Sequence, residues 1–219
     1  MALKRNMSQG DMVHFIDNEL FPQAKKEIRN WIYPNKENGG YFVVTRQIFC
    51  MVDFLGALYA GYPLSERRVD TKGVKIATSD KAVNFIVDFF EPKETYQRSI
   101  VTQLYNMYRH GLVHLYQPKI LKLSSKTRLA WFFYRGKRNM VQIKIDTDSG
   151  EKVFNNVTHL QILNSNNKNV RYLVISIDCL YEDFENAITR YRTKLIKTKY
   201  LQNNWRTAVN AICKPRKSY

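Results

Sequence analysis

Acidic residues are missing from two long stretches of this chain. Between Glu94 and Asp146 there is none, although Arg98, Arg109, Lys119, Lys122, Lys126, Arg128, Arg135, Lys137, Arg138 and Lys144 all fall inside. None follows Glu185 either, where Arg190, Arg192, Lys194, Lys197, Lys199, Arg206, Lys214, Arg216 and Lys217 run toward the end. Cysteine is scarce and odd in number: Cys50, Cys179 and Cys213 are widely spaced, which excludes a disulfide framework and any C-x-x-C zinc or redox site. Reduced, packed thiols are expected. No G-x-x-x-x-G-K loop exists, since Lys72, Gly73 and Lys75 lack that spacing. No run approaches the roughly 20 consecutive apolar residues of a membrane span, and the start MALKRNMSQGDMVHF lacks the apolar stretch of a secretory signal. A cytoplasmic chain without a membrane partner is therefore expected.

What is present is positive charge and aromatic mass. Lys and Arg number 35 against 19 Asp and Glu, a formal net charge of +16, and such an excess concentrates polyanions around a protein. The two acid-free blocks predict a basic face. The competing reading is that acids such as Asp17, Glu27 or Asp88 meet these cations in three dimensions. With 44% hydrophobic and 13% aromatic residues, the chain can bury one sizeable core, so residues 1–219 read as a single domain.

Helical periodicity dominates the first half. Apolar residues recur at helical spacing from Asp11 to Trp31, with Pro22 as a kink, and again from Phe42 to Tyr62. Asn35 to Gly40 reads as a turn and Leu64 to Ile76 as a connector. Ser79 is placed to cap a third helix through Phe90, Pro92 interrupts, and a fourth helix carries Ile100, Leu104, Met107 and Tyr108 into Gly111. Helices thus occupy about 11–117. Beyond Pro118 the period shifts toward two over Ile120–Leu123, Arg128–Tyr134, Val141–Ile145 and Leu173–Ile177. Asn155 to Asn169 is open between strand and helix, and helices return over about 179–213. The expected fold is α+β and mostly helical, with a small antiparallel sheet inserted after the fourth helix.

Two of the four histidines sit together in Tyr108-Arg109-His110-Gly111-Leu112-Val113-His114-Leu115-Tyr116. Arg109, His114 and Tyr116 form R-x4-H-x-Y inside an acid-free block. A histidine titrates near neutrality and can take a 2'-hydroxyl proton, while an arginine can hold the phosphate as charge builds. Five residues are about 140° apart on an ideal helix, so the pair converges only through a distortion at Gly111 or across two protomers. The structural alternative is an Arg109 that snorkels to solvent, a satisfied buried His114 and a core Tyr116. His110 and His114 share a helical face, but no carboxylate or cysteine lies nearby in sequence, and no metal or other cofactor is expected. His14 and His159 have no partner pattern and read as structural or exposed.

This segment resembles the signature of the HEPN superfamily, helical bundles that include many metal-independent RNases of toxin and defence systems. The family pattern is R-x4-6-H, often with Asn, His or Asp after the arginine, as His110 is here. Some members that pair with a nucleotidyltransferase antitoxin extend it to H-x-Y, which Tyr116 matches. The match covers eight residues and a general helical context, and the sheet after Pro118 is not part of the minimal bundle. The resemblance implies a HEPN-like bundle and an endoribonuclease with RNA as substrate. Arg109 would bind and polarise the phosphate, His114 act as general base or acid, His110 support, and Tyr116 position or regulate. It also implies a composite cleft in a homodimer and a possible inhibitory antitoxin or defence-system partner. Lys119, Lys122, Lys126, Arg128, Arg135, Lys137, Arg138, Arg190 and Lys194 are the candidate nucleic-acid contacts. The alternative is a non-catalytic nucleic-acid-binding or scaffolding protein on the same fold, using the basic blocks with Trp131, Phe132, Phe133 and Tyr134.

Overall fold

The computed structural model describes residues 3–32, 40–61, 80–115, 117–147, 150–164 and 169–214. The turn expected over Asn35–Gly40, apart from Gly40 itself, the connector Leu64–Ile76 and the cap at Ser79 lie outside them.

Ser8 opens the first helix with a reciprocal cap: its hydroxyl accepts from the Asp11 amide while the Asp11 carboxylate accepts from the Ser8 amide. Helix α1 (Gln9–His14) then widens into a π-helical segment, Phe15–Leu20, before α2 (Phe21–Ile32). Here the kink expected at Pro22 takes a different form. The Phe21 amide donates five residues back, to Ile16, and the extra residue in that turn makes room for a proline ring that would otherwise meet the preceding carbonyls. The helix runs on.

Helix α3 (Tyr41–Ala60) sits between two left-handed glycines, Gly40 and Gly61. By length and composition it could cross a membrane. Its apolar surface is instead directed inward, because α3 packs against α2, α4 (Asp80–Phe89), α5 (Arg98–Leu115), α6 (Ile177–Lys197) and α7 (Lys199–Ile212). A helix that is apolar nearly all round belongs at such a centre. Gly56 is where α4 comes closest, since a Cβ there would lie 2.8 Å from the Lys81 carbonyl oxygen. Around this junction Tyr59, Phe85, Phe89, Tyr191 and Trp205 pack edge to face and stacked.

The β-rich part is a mixed sheet, which corrects the antiparallel one expected. Its order is β1 (Leu121–Lys122), β2 (Arg128–Tyr134), β6 (Val170–Ser176), β5 (Ile162–Asn164), and β2 pairs with β6 in parallel, Arg128 opposite Val170. The reason is connectivity: among the described residues β3 (Asn139–Thr147) and β4 (Gly150–Thr158) pair only with each other as a separate antiparallel ribbon, and β5 follows before the chain returns to β2 at its starting end. Strand alternation sends Leu129, Trp131, Phe133, Leu173 and Ile175 toward the helices, whereas Phe132, Tyr134 and Val174 meet Ile143 and Val157 of the ribbon. The structure is therefore layered as helices, sheet and ribbon. The strand expected to run through Ile177 stops at Ser176, whose hydroxyl caps α6 by accepting from the Cys179 amide. Cys179 is buried and Cys213 partly so, but Cys50 lies at the surface rather than packed as expected.

Gly56→Ala carries the first prediction. Alanine favours an isolated helix by about 1 kcal/mol over glycine, yet the α4 backbone must move to admit its methyl. Urea denaturation should show a net loss of about 1–3 kcal/mol; equal or greater stability would mean the two helices are not in this contact.

Candidate nucleic-acid interface

The R-x4-H segment lies on α5, which stays helical through Gly111 to Leu115. Gly111 therefore does not break the helix, and the backbone directions at Arg109 and His114 diverge by about 140°. The side chains of residues 109–115, His110 among them, and the whole of Tyr116 lie outside the described part. Just before them, Tyr108 is fully buried, stacked on Phe49 of α3 and edge-on to Phe133 of β2. The Lys119 amide donates to the Met107 carbonyl, so the chain leaving α5 folds back along it before entering β1.

The candidate cations separate into three places. Arg190 donates to the Phe89 carbonyl and pairs with Glu91, and Lys194 lies over the Phe89 ring. Arg192, on the same helix, is held by Asp17 through two bonds of 2.6 Å. One of the acids expected to neutralise the basic blocks does so. Among the described residues Glu27 and Asp88 do not: they bond Gln23, Gln47 and Tyr59 instead.

A second group, in the turn between β2 and β3, is held by α6. Arg135 forks onto Asp178, and the Gly136 amide donates to the same carboxylate. Arg138 donates to both oxygens of Asp183 at 2.6 and 2.7 Å. Asp183 is 5% exposed and also accepts from the Tyr96 hydroxyl at 2.6 Å. Behind Tyr96 stands His159, 2% exposed, with Nε2 3.2 Å from that hydroxyl and Nδ1 accepting from the Ser176 amide. An accepting Nδ1 leaves the hydrogen on Nε2, so the buried line runs from imidazole to phenol to carboxylate to guanidinium without a break. Burial and the facing Arg138 charge hold the His159 pKa down at about 3. Burial raises that of Asp183, against the lowering effect of Arg138 and Tyr96. Arg135 and Arg138 are thus committed within the chain, while Lys137 between them is exposed.

The third group faces solvent around a cleft. Lys122, Lys126 and Arg128 line a polar depression of about 770 Å3, together with Ser124, Ser125 and Asn169. Among the described residues no carboxylate pairs with any of the three, and Lys119 just before them is exposed. The hairpin loop that carries them is closed: Leu123 and Ser124 amides donate to the Thr127 carbonyl, and the Ser124 hydroxyl accepts from the Lys126 and Thr127 amides. The Arg128 amide donates to the Asn169 carbonyl, tying the hairpin to the start of β6. Farther along β2 a second, apolar depression of about 430 Å3 lies between Trp131–Phe133 and Gly40–Val43. Tyr41 stacks on Phe133, and Phe42 meets Trp131 and Phe133 edge-on. The Trp131 indole is fixed by a bond to the Pro118 carbonyl.

The sequence pattern marks Lys122, Lys126 and Arg128 but gives no sign of Ser124 and Asn169 beside them, or of Tyr41 and Phe42 in the apolar depression. The aromatic positions are separated by some ninety residues and no local pattern joins them. Of the four aromatics assigned to binding, Tyr134 is buried and Phe132 packs under the ribbon. Comparison with protein-family models, curated proteins and solved structures gives no match to this chain.

Two predictions follow from the buried line. Arg138→Ala leaves the Asp183 charge buried and uncompensated, and should cost about 3–5 kcal/mol in chemical denaturation; a loss below about 1 kcal/mol would show that the pair does not matter. The second concerns pH. His159 has a folded pKa below its unfolded value of 6.5, so between these values the unfolded state binds the extra proton and acid weakens the fold. Stability should fall as pH drops from about 6.5 toward 3, by up to about 1.4 kcal/mol per unit from this group. Asp183 works in the opposite sense, and comparison with His159→Gln isolates the histidine. A variant with the same pH slope as wild type would contradict the assignment.

Proposed function

We propose that this chain binds RNA through the amino-terminal end of β2 and, on the resemblance of Arg109 to Tyr116, cleaves it as a metal-independent endoribonuclease of HEPN-like type. The observation that carries the binding half is the acid-free cleft at Lys122, Lys126 and Arg128. A phosphate backbone is the ligand best suited to three cations that have no carboxylate partner among the described residues, on a hydrogen-bonded hairpin. The bond from Lys119 to Met107 keeps this hairpin against the helix that carries the motif.

For cleavage, the substrate's 2'-hydroxyl attacks the adjoining phosphorus and the 5'-oxygen leaves, producing a 2',3'-cyclic phosphate. His114 takes the hydroxyl proton or delivers one to the leaving oxygen, and Arg109 holds the charge that builds on the phosphoryl oxygens. His110 supports and Tyr116 positions the substrate or regulates access. Because α5 continues through Gly111, the backbone positions of Arg109 and His114 lie about 140° apart around the helix of a single chain. A two-fold homodimer that faces two copies of α5 supplies a composite cleft. The same divergence favours a second reading, in which the chain binds nucleic acid without cutting it.

Purified protein incubated with RNA and chelator separates these readings. The first expects fragments ending in 2',3'-cyclic phosphate, no turnover by Arg109→Ala or His114→Ala, and partial activity when those two variants are mixed. Tight RNA binding without fragments would leave only the second, and absence of both would end the proposal.

A further inference from the structure

The two depressions on β2 differ in character, and their combination narrows the ligand. The one at Lys122, Lys126 and Arg128 is polar and cationic. The one at Phe42, Trp131 and Phe133 is apolar and walled by rings. Its volume of about 430 Å3 falls within the roughly 300–1,000 Å3 of small-molecule pockets. Phe42 is 39% exposed, high for an aromatic that touches two other rings, and Ile120, at the mouth of the cationic cleft, is 60% exposed.

The strand relates the two sites. Arg128 and Phe133 are five residues apart, about 17 Å at the rise of a strand. Alternation sends Trp131 and Phe133 to the helix side, so Arg128 belongs to the other. A ligand touching both must therefore cross the edge of β2. That edge is accessible for a topological reason: β1 pairs only with Arg128 and Leu129, and among the described residues nothing pairs with β2 on that side from Ala130 onward.

Resting on the RNA-binding reading above, we infer that the ligand is single-stranded RNA, its phosphates held by Lys122, Lys126 and Arg128 and one of its bases stacked in the ring-walled depression against Phe42. Charge complementarity and an apolar aromatic slot on one strand are what single-strand binding requires: a cationic track for the backbone and a π-surface for unpaired bases. A duplex keeps its bases stacked inside and offers nothing to the second site. A purely electrostatic partner, such as an acidic peptide, has no use for it either.

The test uses the full chain and an RNA of about eight nucleotides, within the span of single-strand sites. Its riboses are 2'-O-methylated, so no attacking hydroxyl is present and binding is measured apart from cleavage. Fluorescence anisotropy should show the single strand bound at least about tenfold more tightly than its duplex. Phe42→Ala should weaken single-strand binding about tenfold, the scale of one lost base stack, with the salt slope unchanged; Phe42→Trp should retain the affinity. The triple variant Lys122→Ala, Lys126→Ala, Arg128→Ala should reduce the salt slope by about 2, as three lost phosphate contacts require. Equal binding of single strand, duplex and heparin, with Phe42→Ala indistinguishable from wild type, overturns the inference and leaves the RNA-binding reading standing. No measurable binding of either RNA form overturns both.

Discussion

The carboxylate of Asp183 is the constraint on which the arrangement depends. It lies in the first half of α6, out of water, and a buried charge of that kind is tolerated only when its partners are fixed. Those partners come from separate parts of the chain: Arg138 from the turn after β2, Tyr96 from the loop before α5, and through Tyr96 the imidazole of His159 at the end of β4. Satisfying one carboxylate therefore positions the sheet on the helices and the ribbon on the sheet. Arg135 with Asp178, and the Ser176 hydroxyl bonding the Gly136 carbonyl, secure the same corner.

The position of this corner has a consequence for the remaining charge. Because β2 and β6 are parallel, their carboxyl ends lie together and their amino ends lie together. The carboxyl ends abut α6, where the arginines are taken up by acids. The amino ends carry Arg128 and the hairpin lysines, where no described acid answers them. One pair of strands thus has a structural end and an open cationic end, and the connection from α5 joins the chain at the second.

Much of this was legible in the sequence. The apolar periods locate each described helix to within a few residues, and Arg128–Tyr134 reads as the strand it is. The parallel pairing was not legible, because alternation within a strand says nothing about which neighbour it adopts or in which direction. Nor was the fate of Arg135 and Arg138. A block free of acids in sequence reads as a basic face, but Asp178 and Asp183 lie some forty residues away and arrive through the fold. The R-x4-H-x-Y resemblance remains a property of residues 109–116; the fold adds that α5 stays helical through Gly111. Phe42 reads from sequence as the start of the second helix, and only its place opposite Trp131 and Phe133 makes it a wall of the apolar depression on β2.

On the proposed reading, RNA meets the amino-terminal end of β2 and not the corner where Arg135 and Arg138 are held. Photocrosslinking reads that location directly, using a short single-stranded RNA carrying 4-thiouridine and mass spectrometry of the adducted peptides. Adducts are expected on the 119–133 segment and at Phe42. Adducts concentrated on the 135–138 turn or on α6, with none on the hairpin, would contradict it.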